Sequence, residues 1–196
     1  MLHGELLKKP DPKVMTDSLH TMGFEVMLWI CPYVSPDSPE YRELSSKGYL
    51  AKDKNGKDAI IHWWNGHSAC YDMTNPDAVN HLKNELTKLQ NDFGIDGYKF
   101  DGADVGYMQG EYFFYKENAN VNDFTEAWAV FALNFPFNEL RTSWKLGVTE
   151  LVQRLGDKNY SWNAVASLIP QMTTAGILGH AYVCPDMIGA GNLRLF

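Results

Sequence analysis

Cysteine is scarce in this 196-residue chain. Cys31, Cys70 and Cys184 are an odd number and lie far apart. No pair has the short spacing of a metal-ligand set, so the plain reading is buried, reduced thiols and no metal site. Long apolar runs are missing as well. No stretch reaches the roughly 18 residues that a membrane-crossing helix needs. The first residues, MLHGELLKKPDPK, lack the apolar centre of a secretory signal. The compartment stays open, because the gene product need not start where this sequence does. Basic charge is in deficit: 17 Lys and Arg stand against 24 Asp and Glu, a net charge of −7. That argues against a nucleic-acid partner, which would require a basic face. Neither GxGxxG nor GxxxxGK[ST] occurs, so a nucleotide cofactor loses its main signal, and no other cofactor motif is visible.

What is present is a globular composition, 45% apolar and 21% charged, long enough for one domain with a core. Aromatics make up 13% and include 6 Trp, compatible with sugar stacking or with plain core packing. Residues 10–24 read as a helix with Val14, Met15, Leu19 and Met22 on one side, and residues 24–34 as a strand too continuously apolar to have a wet face. Residues 35–59 are polar and turn-rich and read as one long loop. Residues 74–94 give the clearest helix: Thr74 or Asn75 caps it, Pro76 suits its first turn, and Val79, Leu82, Leu86 and Leu89 recur at helical spacing. A strand follows in GIDGYKFDGAD. Beyond it come a helix over 122–135, short strands over 138–144 and 150–157, a helix over 160–178 kinked by Pro170, and a last strand over 180–191 with a glycine-rich exit. Strands alternating with helices imply a parallel sheet and an α/β fold.

Polar residues cluster at the ends of the apolar runs: Asp101, Arg141, Asp157 and Asp186. In a (β/α)8 barrel those ends form one catalytic rim. Alternation along the strand puts Lys99 and Asp101 on the inner face, about 7 Å apart, and Tyr98 and Phe100 against the helices. Lys99 is then the cation that keeps Asp101 ionised, as a nucleophile requires. Asp157, on a later exit loop, is the candidate for the second carboxyl of a glycosidic reaction. Asp96 has the opposite parity and reads as structural, and Asp104 as a shaper of the following loop.

Four segments carry a resemblance. GIDGYKFDGAD resembles the nucleophile strand of glycoside hydrolase family 31. RLGDKNYSW with the helix and strand after it resembles that family's acid/base region. WWNGHSACYDMTNPDAV and GFEVMLWICPYVSPDSPEY resemble earlier parts of its barrel, in the same order. The resemblance implies a partial (β/α)8 TIM barrel, approximately strands 3 to 7, filling residues 1–196 as a single fragment. Strands one, two and eight and the flanking β-sandwich domains would lie elsewhere in a larger product. It implies a retaining α-glycoside hydrolase with Asp101 as nucleophile and Asp157 as acid/base. Lys99, Arg141, Trp64, Trp29, Asp186 and Arg154 would bind an oligosaccharide or glycoside substrate.

The departures matter. Lys99 and Arg154 stand where the α-glucosidase branch has aromatics, and Gly189-Ala190-Gly191 replaces its Gly-Gly-Phe. A lysine at 99 resembles the α-xylosidase, α-galactosidase and sulfoquinovosidase branches. SLIPQMTTAGILGHAYVCPDMIG resembles the myogenesis-regulating-glycosidase-like branch, which tilts the expectation toward an α-galactoside. The runner-up is a degenerate carbohydrate-binding pseudoenzyme on the same fold. A third class, an aldolase, would need Lys99 as its Schiff-base amine. Plainer roles also exist: turn capping by Asp101 or Asp157, a pair between Arg141 and Glu139, core packing by Trp64 or Trp29, amide binding by Asp186. His62 and His67 read as polar surface.

Overall fold

Short polar side chains, prolines and glycines punctuate the helices. The computed structural model describes residues 11–186. Asp11 caps α1 (Pro12–Thr21) by accepting from the Lys13 amide at 3.1 Å. Two strands follow, β1 (Met27–Ile30) and β2 (Tyr33–Val34). The supposed loop over 35–59 contains a helix, α2 (Pro39–Lys47). Ser38 caps it, Pro39 fills its first turn, and Gly48 closes it in the left-handed conformation at φ 70°. Only Leu44 of this helix is buried, so no apolar stripe announced it. The short strands β3 (Lys52–Asp53), β4 (Ile60–Trp63) and β5 (Gly66–Cys70) come next.

The long helix α3 (Pro76–Phe93) is capped by Asn75 and ended by Gly94 at φ 69°, and it buries Leu86 and Leu89. It leads into β6 (Gly97–Phe100), followed by the small β7 (Tyr112–Phe113). The remaining elements are α4 (Val121–Ala132), β8 (Asn138–Leu140), β9 (Val152–Arg154), α5 (Trp162–Ile177) and β10 (Tyr182–Cys184). Pro170 lies inside α5 without ending it. The glycine-rich exit at 188–191 lies outside the described residues.

β1, β6, β8, β9 and β10 form one parallel sheet in that order, the expected α/β arc of a barrel. Among the described residues, β1 and β10 each have a neighbour on one side only. The loops at the C-terminal end of β1 build the antiparallel sheet β2–β5–β4, and β3 pairs with β7. Register puts Trp29, Lys99 and Glu139 in one row on the inner face. Tyr98 and Phe100 are fully buried on the other face. Tyr98 meets Phe135 with ring centroids 5.1 Å apart, and Phe100 meets Trp128 at 5.3 Å. Gly97 has no room for a side chain, since a Cβ there would come within 1.9 Å of the Phe137 carbonyl oxygen.

Two minor expectations also meet the structure. The three thiols are free, though only Cys70 is buried as expected and Cys31 and Cys184 are half-buried; desolvation pushes Cys31 up to about 12. Asp96 is structural: it accepts from the Val26 amide at 2.6 Å and pairs with His20 at 2.8 Å, at the end of β6 away from Asp101.

Candidate active site

Asp101 leaves the C-terminal end of β6 with its amide still bonded to the Ile30 carbonyl at 2.8 Å. Gly102 and Ala103 then both take positive φ, 74° and 60°. Tyr33 holds this turn, its Oη accepting from the Ala103 amide at 2.9 Å. Thr125 donates to the Ala103 carbonyl at 2.8 Å. A left-handed alanine costs of order 1 kcal/mol or more, and strain of this kind concentrates at working sites. The turn brings Asp104 back beside Asp101's neighbours.

The Asp101 carboxylate is buried and both of its oxygens are engaged. Trp29 Nε1 donates to Oδ2 at 2.9 Å, and Arg154 Nη2 donates to Oδ1 at 2.8 Å. Arg141 Nη1 lies 3.7 Å from Oδ1. The cations that face Asp101 are therefore the two arginines. This corrects the role expected of Lys99, which instead pairs with Glu139 at 3.5 Å and Asp186 at 3.8 Å. One residue of extended chain between Lys99 and Asp101 keeps their heads apart, and register sets Glu139 directly across from Lys99. That setting is also the opposite of the apolar pocket a Schiff-base lysine needs, so the aldolase reading loses its only candidate.

Arg154 ends β9 and is the hub of the site. Its side chain is 4% exposed. Nη1 donates to Asp157 and to Asp186, each at 3.0 Å. Nε lies 3.0 Å from Glu139 Oε1, an ion contact without hydrogen-bond alignment. Burial works against its charge, yet Asp101 and Asp186 more than offset that, and its pKa stands above the ordinary value. Arg141, just past β8, donates from Nε to Asp104 at 3.1 Å, not to Glu139, and from Nη2 to Tyr107 Oη at 3.4 Å. Burial raises the pKa of Asp104, with Arg141 pulling the other way. Asp186 sits beyond β10 at φ 65° with its carboxyl 3% exposed, whereas the Asp157 carboxyl is 71% exposed.

An aromatic wall closes one side. Trp29 stacks on Trp63 with centroids 6.3 Å apart and planes 7° from parallel, and Trp64, 60% exposed, meets Trp29 edge-on at 6.3 Å. The hairpin turn between β4 and β5 carries Trp64 there. All eight residues expected at the site, Asp101, Asp157, Lys99, Arg141, Trp64, Trp29, Asp186 and Arg154, line one cleft of about 400 Å³ together with Tyr107. Tyr107, Glu139 and Asp104 went unrecognised as site residues. For Glu139 the signal existed, since its strand parity with Arg141 is the same as that of Lys99 with Asp101. His62 and His67 sit opposite each other on β4 and β5, away from the cleft.

Known proteins match this chain. Residues 7–192 match the model of the glycosyl hydrolases family 31 TIM-barrel domain. The chain is 28% identical over 190 residues to the myogenesis-regulating glycosidase of Mus musculus, covering 94% of this chain and 26% of that protein. It is 36% identical over 109 residues to alpha-xylosidase XylQ of Lactiplantibacillus pentosus, covering 52% and 14%. A family 31 sulfoquinovosidase from E. rectale, solved with an aza-sugar inhibitor, superposes with a TM-score of 0.81 at 21% identity, over 92% of this chain and 29% of that one. The chain thus spans less than a third of the length of each of these relatives. The parallel arc, its order of segments and the match across nearly all its residues make this chain a member of glycosyl hydrolase family 31, built on part of that family's TIM-barrel domain.

Proposed function

We propose that the chain carries the catalytic centre of a retaining α-glycoside hydrolase, with Asp101 as nucleophile and Asp157 as acid/base. The observation that carries this reading is the single Arg154 guanidinium that bonds both carboxyls, so that they face each other across one fork. Retaining chemistry calls for carboxyl groups about 5–5.5 Å apart. In the first step an Asp101 oxygen bonds to the anomeric carbon as the bond to the leaving oxygen breaks, and Asp157 gives that oxygen its proton. In the second, water attacks the same carbon, Asp157 takes a proton from it, and the ester to Asp101 breaks. Arg141, Lys99, Asp186 and the exposed face of Trp64 would hold the sugar ring. The relatives are named for xylosides and for a sulfonated sugar, so family membership alone leaves the glycone open. We further propose that the five-strand arc works within a longer barrel that supplies neighbours for β1 and β10.

A second reading has its own observation. Both Asp101 oxygens already accept hydrogen bonds, and Arg154 stands between the two carboxyls, which favours a carbohydrate-binding protein without turnover. Labelling separates the two. 5-Fluoro-α-glycosyl fluorides of the gluco, galacto and xylo series should leave one sugar per chain esterified to Asp101, found by peptide mass mapping, and none on Asp101→Asn. Azide should restore turnover of an activated glycoside to Asp101→Ala. A label on another residue overturns the assignment, and sugar binding without labelling supports the second reading.

A further inference from the structure

The β4–β5 hairpin carries a pair of side chains that the cleft does not use. Register sets His62 directly opposite His67, with ring centroids 4.7 Å apart and planes 48° from parallel. Their spacing in the sequence matches no metal motif, and only the hairpin makes them neighbours. Both residues are exposed. Among the described residues, neither makes a hydrogen bond or an ion pair to the protein. His20, by contrast, is committed to Asp96 at 2.8 Å. Residues 59–71 include no Lys, Arg, Asp or Glu, so no charge on the hairpin competes for the rings or repels a cation. The backbone beneath them is fixed. Ile61 and Trp63, on the other face of β4, are buried, and Trp63 Nε1 donates across the hairpin to Ser68 Oγ at 3.0 Å.

We propose that His62 and His67 form a two-histidine site for a divalent cation of the zinc and copper type, a clamp across the hairpin that carries Trp64. Neutral imidazole is a favoured ligand of these ions, whereas Mg²⁺ and Ca²⁺ prefer oxygen. Two imidazoles bound to one ion at about 2.0–2.1 Å, with ligand angles of about 90–110°, have ring centroids about 4.5–5.2 Å apart. The 4.7 Å of this pair lies inside that range, so both rings reach one ion by turning about their own side-chain bonds, and the strands need not move. Because the hairpin already holds the rings together, chelation orders little that is not ordered before. Among the described residues, no group of three or more His, Cys, Asp or Glu could hold a metal ion. The site therefore has two protein ligands, with water in its other positions.

The test is titration of the full chain with Zn²⁺, followed by calorimetry and by the ring signals of isotope-labelled histidine. The His62 and His67 signals should shift together as one ion binds, and about a hundredfold excess of Mg²⁺ should not displace it. His62→Ala and His67→Ala should each weaken binding by about tenfold or more, at least what the loss of a ligand's outer partner costs. Their combination should add little, because either change alone already breaks the chelate. His81→Ala should leave the affinity unchanged, since His81 lies on α3 against Tyr49. A nuclear Overhauser contact between the two rings checks the hairpin itself, independently of the rest of the barrel. Rings in contact without a shared zinc ion overturn the inference. So does zinc that is lost in His81→Ala and kept by both hairpin variants, and so do losses in the two hairpin variants that simply add. An absent ring contact removes the geometry and overturns it too. None of these outcomes involves Asp101 or Asp157, so the glycoside reading stands or falls separately.

Discussion

The middle of the sheet and its β10 end are finished differently. Over β6 and β8, α4 buries Phe124, Thr125, Trp128, Ala129, Phe131 and Ala132. Over β9 and β10, α5 is four residues longer and buries only Ala175. Ile169, Ile177 and Leu178 stay 73%, 80% and 65% exposed. The cause is topological. α3 and α4 are the helices of successive strand-to-strand connections, β1 to β6 and β6 to β8, whereas the connection from β8 to β9 contains no helix to stand beside α5. A groove of about 560 Å³ therefore remains between the strands and α5, lined by Gln153, Thr174, Leu178 and His180 among others. Two apolar helices of one chain thus do different things: one closes a core, and the other presents a surface. The rim above both regions is nevertheless continuous, because it is held by ion pairs rather than by the packing behind it.

The largest effect expected from this contrast lies under α4. Trp128 is 1% exposed and packs on Phe100 and on Phe131, with centroids 5.3 and 5.7 Å away. Trp128→Ala should cost about 3–5 kcal/mol, read as a lower urea midpoint. Ile169→Ala on α5 should change stability by less than about 0.5 kcal/mol. Equal losses at both positions would mean that α5 is as well packed as α4. Next in size is Gly97→Ala, on the strand that carries Asp101. The added methyl would meet the Phe137 carbonyl at 1.9 Å, so β6 and the segment before β8 must separate. About 3 kcal/mol should be lost. Asp101 moves with its strand, so sugar binding should weaken as well.

How much of this could be read in advance follows the same divide. The parallel arc, α3 and its caps, and the outward parity of Tyr98 and Phe100 were legible because periodicity and capping are local. So were Asp101, Arg141, Asp157 and Asp186, since strand ends converge wherever the strands run parallel, with Lys99 and Trp29 placed by strand parity, whereas Trp64 and Arg154 came only with the family resemblance. α2 was not legible, because a helix that buries one leucine leaves no apolar stripe, although Ser38, Pro39 and Gly48 marked its limits. The partner of Lys99 was not legible either. Sequence distance put it near Asp101, but the lateral register with Glu139 decides where the ammonium goes. Arg154 was recognised as a site residue without its role, because a hub is defined by four carboxyls from four separate segments.

A smaller effect concerns the start of β6, on the well-packed side. The pKa of Asp96 is depressed: burial opposes this, but the Val26 amide and His20 prevail. A carboxyl whose folded pKa lies below its unfolded value stabilises the fold above the unfolded value, about 3.9, and loses that contribution as pH falls through the folded one. Asp96 is partly exposed, so the effect is well under what a buried pair would give. Asp96→Asn should lower stability modestly at pH 7 and flatten its decline below about pH 4. An unchanged acid limb would show that the Val26 and His20 contacts do not hold this corner.

The smallest change in stability is expected at the uncovered end. Ile177→Ser removes a side chain that is 80% exposed at the end of α5, next to Leu178, which is also exposed. The folding free energy should move by less than about 0.5 kcal/mol. Association should respond far more, because a run of large apolar side chains on one helix is a surface for another protein surface, and a serine at position 177 shortens that run. Sedimentation of the parent chain at rising concentration should show self-association, and the variant should show less of it at the same concentration. If both chains are equally monomeric, the exposed face of α5 is not sticky, and the contrast with α4 concerns packing alone.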